Sequence, residues 1–110
     1  MKEYKKLIRD KIPEIIQKSG DSSVTRILES EEFKRELLKK LIEESKEVAG
    51  AIDDKKELTK EVGDVKEILE YIIKEFDLDK EEIEKIRKER KKSRGGFEKK
   101  IFLERTEKNG

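Results

Sequence analysis

Apolar residues recur at a helical period along two neighbouring stretches, and these organise the rest of the chain. In the first, Leu37, Leu41, Val48 and Ala51 share a stripe, with a second row at Leu38, Ile42 and Ile52. The pattern predicts a helix from Glu31 to about Ala51, with Ser30 as its N-cap. In the second stretch, Leu58, Val62, Val65, Leu69, Ile72 and Phe76 form a stripe widened by Ile68 and Ile73, which predicts a helix ending near Phe76. Asp53-Asp54 makes the turn between them, and Asp54 with Glu57 has capping-box spacing. A link this short makes the two helices antiparallel neighbours.

Pro13 opens a shorter helix through about Lys18, which Ser19-Gly20 stops. Asp79 and Glu82 repeat the cap spacing and open a further helix, from Lys80 to about Lys92, with Ile83 and Ile86 facing inward. Val24 to Leu28 reads as a short extended segment, Lys100 to Leu103 as a short strand that would pair with it or a subunit clasp, and Thr106 to Gly110 as a frayed tail. The expected fold is all-α, an antiparallel helical bundle with short extended segments near the N- and C-termini. It is one domain, 1–110, completed by oligomerisation as a homodimer or higher homo-oligomer. One small chain has little with which to cover two such wide apolar faces.

Acidic residues interrupt these stripes in an informative way. The run 37, 41, 44, 48, 51 puts Glu44 in the middle of the packed row. A carboxylate there must be neutralised, paired or liganded, since burying it alone costs on the order of several kcal/mol. Glu47 lies one turn on. Glu61 and Asp64 are spaced i, i+3 on the border of the second stripe, with Gly63 between them. That glycine lowers helix propensity by about 1 kcal/mol relative to alanine, which makes most sense where a backbone or ligand comes close. Glu47 and Glu61 are each about seven residues from the centre of the turn, and Glu44 and Asp64 about ten, so antiparallel packing makes all four face one another. Aspartate and glutamate are 28 of 110 residues, so some such pairs arise by chance on solvated faces. The position of Glu44 within its stripe is what sets this group apart.

Composition narrows the chemistry. Hydrophobic residues are 32% and charged residues 52%, yet the apolar ones are periodic enough to argue against disorder. The net charge of +1 gives no global attraction to nucleic acid, and no stable nucleic-acid complex is expected. Without cysteine or histidine there is no disulfide framework, thiolate nucleophile, Ser-His-Asp triad or imidazole metal ligand. Any hydrolysis must use carboxylates, lysines, arginines, hydroxyls and bound ions. No apolar run long enough to span a membrane and no signal-peptide pattern are found, so the expectation is a soluble cytoplasmic protein with no membrane partner. Arg87, Lys88, Arg90, Lys91, Lys92 and Arg94 crowd the end of the last helix, where positive charge complements the backbone dipole. The same cluster could touch RNA, but no aromatic ladder accompanies it. Gly95-Gly96 makes a turn whose amides could meet phosphate, followed by Phe97 as a packing anchor.

The run Lys40-Leu41-Ile42-Glu43-Glu44-Ser45-Lys46-Glu47, followed after 13 residues by Glu61-Val62-Gly63-Asp64-Val65, resembles the ExxE...ExxD signature of the all-α nucleoside triphosphate pyrophosphohydrolases. These are the MazG-type and phosphoribosyl-ATP pyrophosphohydrolase-like superfamily. Lys6-Leu7-Ile8-Arg9-Asp10-Lys11-Ile12-Pro13 and Arg94-Gly95-Gly96-Phe97 look like the ends of its short members. The resemblance implies metal-dependent hydrolysis of a nucleoside triphosphate, standard or modified, or of a related phosphorylated small molecule. The products would be monophosphate and pyrophosphate, in a nucleotide-pool house-cleaning role. Glu44, Glu47, Glu61 and Asp64 would hold Mg2+, with Mn2+ as a possible substitute, because hard cations accept an all-carboxylate shell. Glu43 is either a water-positioning base within this catalytic group or a solvated surface glutamate. Arg9, Lys11, Lys40, Lys46, Arg90 and Arg94, with Gly95 and Gly96, would bind substrate phosphate, Arg94 ahead of Arg90. Read without the resemblance, Arg9 and Asp10 make a surface pair leading into the first helix. The alternatives are a non-enzymatic helical interaction module, with Glu44 paired to a lysine, and an RNA-binding module using the basic C-terminal half.

Overall fold

A computed structural model describes residues 2–108, so positions 109 and 110 of the expected frayed tail lie outside the described residues. Four helices follow in order, α1 (Ile12–Lys18), α2 (Ser30–Gly50), α3 (Lys55–Glu75) and α4 (Lys80–Arg94), and among the described residues there is no strand. The fold is all-α. It divides into two compact units, Met1–Leu78 with α1 to α3, and Asp79–Gly110 with α4.

In the first unit, α2 and α3 form an antiparallel hairpin and pack on each other. The most deeply packed residues repeat about two helical turns apart: Leu37 and Glu44 along α2 with Ala51 at its C-cap, and Glu61 and Ile68 along α3. Glu61 is therefore not on the border of its stripe, as its spacing suggests, but in the contact seam. The apolar stripe of α3 is wider than one helix can cover, and the rotation that buries Ile68 turns Glu61 inward with it. The same rotation leaves Val62, Leu69 and Phe76 at 44%, 41% and 37% exposure. Leu38 and Ile42 of α2, and Ile52 in the turn after it, are exposed too. At 3.6 residues per turn both exposed rows fall on one flank of the hairpin, opposite the flank of Glu43, Glu47 and Asp64.

The helix ends show which local signals act. Asp54 caps α3, its Oδ1 accepting from the Glu57 amide at 3.1 Å. The Asp54 amide donates to the Ala51 carbonyl, which takes the place of the reciprocal half of the capping box. Ser30 is not a cap but the first residue of α2, whose N-cap Glu29 makes no side-chain bond. The entry to α2 is held instead by Arg26, whose guanidinium donates to both Glu32 carboxylate oxygens at 2.9 and 2.6 Å. α1 and α3 end alike, with paired backbone bonds closing over a left-handed residue. After α1 that residue is Gly20 (φ 98), with Gly20 and Asp21 amides donating to the Gln17 and Ile16 carbonyls. After α3 it is Asp77 (φ 53), with Asp77 and Leu78 amides donating to Lys74 and Ile73.

Asp79 caps α4 through the Glu81 and Glu82 amides at 2.8 and 3.3 Å. Ile83 and Ile86, expected to face inward, are 37% and 46% exposed, since α4 has no second helix in its own unit to pack on. Val24 to Leu28 and Lys100 to Leu103 do not form the strands their residues suggest; Val24 and Ile27 are almost fully exposed. Apolar alternation makes a strand only where a second edge accepts its backbone bonds.

Candidate metal centre

Packing α2 against α3 places Glu44 and Glu61 together in the seam, at 7% and 4% exposure. The Oε2 atom of each is buried without a hydrogen-bond partner. Among the described residues, ammonium groups reach only their other oxygens, Lys40 Nζ lying 3.9 Å from Glu44 Oε1 and Lys60 Nζ 3.6 Å from Glu61 Oε1. With both carboxyl groups ionised, two desolvated carboxylate oxygens are left without a donor among the described residues, an arrangement that costs stability unless a proton or a cation meets them.

Asp64, one turn along α3 from Glu61, completes a cradle. One carboxylate oxygen from each of Glu44, Glu61 and Asp64 lies within 4.8 Å of the others. Glu43, Glu44 and Glu47 meet the same limit on α2, so Glu44 belongs to both groups. Burial, and then the neighbouring Glu61, Glu47 and Asp64 carboxyls, push the Glu44 carboxyl up to about 7. The donors are all hard oxygens, with no nitrogen or sulfur, which suits a hard divalent cation. Such an ion would supply the positive partner that the buried Oε2 atoms lack, so these residues fit a metal.

Cationic groups border the cradle. Lys40 donates to Glu43 Oε2 at 3.5 Å, and Lys6 to Glu43 Oε1 at 3.3 Å. Arg9 Nη2 donates to Asp64 Oδ1 at 2.9 Å, while its Nη1 lies 3.9 Å from Glu67 Oε2. Lys6 and Glu67 are not singled out by the sequence pattern. The available signals were that Glu67 stands one helical turn beyond Asp64, and that Lys6 belongs to the same basic N-terminal stretch as Arg9.

Lys11, Lys46, Arg90, Arg94, Gly95 and Gly96 are the remaining phosphate-binding candidates. Lys11 is the N-cap of α1 and exposed. Lys46 is exposed on α2, about 200° round the helix from Glu44. Arg90 and Arg94 belong to the second unit, in the last two turns of α4, as do Gly95, its C-cap at φ 84, and Gly96. A Cβ on Gly96 would lie 2.5 Å from the Glu98 carboxylate. Gly63 has no atom within 4 Å of the position a Cβ would take, so no backbone approach explains that glycine.

Among the described residues, no helix is long and apolar enough to cross a membrane. No protein-family model, curated protein or solved structure matches the chain.

Proposed function

We propose that the chain is a metal-dependent nucleoside triphosphate pyrophosphohydrolase that cleaves at the α-phosphorus and releases monophosphate and pyrophosphate. The metal-dependent part rests on one observation, the two buried and unpartnered Oε2 atoms of Glu44 and Glu61 beside Asp64. Substrate class and cleavage position rest on the resemblance of Glu43 to Glu47 and Glu61 to Asp64 to the MazG-type, phosphoribosyl-ATP pyrophosphohydrolase-like signature. In this reading Glu44, Glu61 and Asp64 hold Mg2+, for which Mn2+ substitutes, and Glu47 shares the ion from the Glu44 side. A bound divalent cation supplies neutralisation of phosphate charge and acidification of water. The chain's own residues do the positioning. Glu43, held by Lys6 and Lys40, orients the attacking water and accepts its proton, while Lys40 and Arg9 bring positive charge to the phosphates. A second copy covers the apolar flank of Leu38, Ile42, Val62 and Leu69, giving a homodimer or higher oligomer, and the enzyme clears standard or modified nucleotides in the cytoplasm.

The test is product analysis with a panel of nucleoside triphosphates in the presence of magnesium, manganese or a chelator, for the native chain and Glu61→Gln. Monophosphate and pyrophosphate, lost on chelation and in the variant, are the expected result. Release of inorganic phosphate and diphosphate would overturn the cleavage position. No turnover together with no saturable magnesium binding would overturn the enzyme reading.

A further inference from the structure

The segment before α1 lies across the carboxylate flank of the hairpin. Leu7 and Ile8 are half-buried and anchor it, while Lys6 and Arg9 on either side of them reach Glu43 and Asp64. The anchor is apolar and the two contacts are ionic, so the side chains can leave their partners without the segment leaving its seat. Arg9 is the more consequential of the two. Its guanidinium donates at 2.9 Å to an oxygen of Asp64, a carboxylate that also belongs to the cradle with Glu44 and Glu61. The Arg9 side chain is 58% exposed, and exposed ion pairs are weak, so the contact is easily exchanged.

From these positions we infer that Arg9 is a counter-ion exchanged by metal: it neutralises Asp64 in the metal-free protein, and a divalent cation in the cradle releases it to bind a phosphate of the substrate. This rests on the carboxylate cradle being a metal site. A guanidinium and a divalent cation that share one carboxylate repel each other, so each weakens the other's hold on Asp64. Once released, the planar guanidinium can take a phosphate by two parallel bonds, and anion and metal then bind cooperatively. The pair with Glu67 at 3.9 Å gives the displaced side chain a second acidic group on the same helix face, one turn away, which keeps it beside the site.

The experiment is calorimetric titration of the full chain with MgCl2 alone, and with inorganic pyrophosphate after magnesium saturation, for the native protein, Arg9→Ala and Arg9→Lys. Without anion, Arg9→Ala is expected to bind magnesium about two- to fivefold tighter, the worth of one weak competing ion pair. The same variant is expected to bind pyrophosphate about tenfold or more weakly once magnesium is present. Arg9→Lys keeps the competing charge, so its magnesium affinity stays close to native while pyrophosphate binding still falls. A purely structural role for Arg9 would weaken both titrations in Arg9→Ala. Saturable magnesium binding that is unchanged or weaker in Arg9→Ala overturns this inference alone. Absence of saturable magnesium binding in all three proteins overturns it together with the metal reading.

Discussion

Replacing Glu44 with glutamine separates a frustrated metal cradle from an ordinary buried ion pair, because the two assign opposite signs to the change in stability. Glutamine keeps the size and shape of the side chain and removes its charge. The Glu44 carboxyl is pushed from the usual 4.5 up to about 7 by burial and by Glu61, Glu47 and Asp64. Its folded value lies above its unfolded value, so its favourable contribution is complete below about pH 4.5 and is lost as pH rises to about 7. At ~1.36 kcal/mol per pKa unit, the loss on ionisation is at most about 3 kcal/mol. Against this stands the Lys40 contact at 3.9 Å, a pair of the i, i+4 kind worth roughly 0.5 kcal/mol or less. Frustration wins. Glu44→Gln should therefore stabilise the metal-free protein at about pH 8 by up to ~3 kcal/mol, a rise in Tm of up to roughly 10–20 °C. At about pH 4 the two proteins should agree to within ~0.5 kcal/mol, since both side chains are then neutral. Magnesium should raise the Tm of the native protein at about pH 8 and raise that of the variant less at the same concentration. Thermal unfolding followed by circular dichroism at the two pH values, with magnesium or chelator, reads all of this. If Glu44→Gln lowers the Tm at about pH 8 without metal, the carboxylate is in a stabilising pair and the reasoning is refuted.

Two backbone positions give independent tests. Gly63→Ala meets open space within α3 and should stabilise the fold by about 1 kcal/mol in urea unfolding; a loss of stability would mean that the site is tighter than its surroundings indicate. Asp77 carries a positive φ of 53 at the end of α3, so Asp77→Gly should add about 0.5–1 kcal/mol. Equal urea midpoints for Asp77→Gly and the native chain would show that the aspartate is not strained there.

The hairpin was legible in the sequence because its signals are local and redundant. Apolar residues at helical spacing, Pro13 at the start of α1, Asp54 and Asp79 before α3 and α4, and Gly20 after α1 all act within a few residues of themselves. Glu44 stood out because a carboxylate inside an apolar stripe is a local contradiction. Ser30 misled, since a serine becomes a cap only when the chain enters the helix at that residue, and the entry here is set by Arg26 and Glu32. Val24 to Leu28 and Lys100 to Leu103 lie outside the helices, as their residues suggest, and form no strand, since residue type favours one but only a partner edge makes it.

By itself, the sequence determined that the chain is helical, where most of its helices begin and end, and which acids contradict their surroundings. Only the tertiary structure decided how far α3 is rotated about its own axis, and with it that Glu61 shares the seam with Glu44 while Val62 and Leu69 do not. A stripe wider than the contact it makes is compatible with several rotations, and packing against α2 selects among them. The placement of Lys6 and Arg9 was decided there too, because their partners Glu43 and Asp64 lie 37 and 55 residues away along the chain. No local pattern carries information over that distance; the path of the folded chain does.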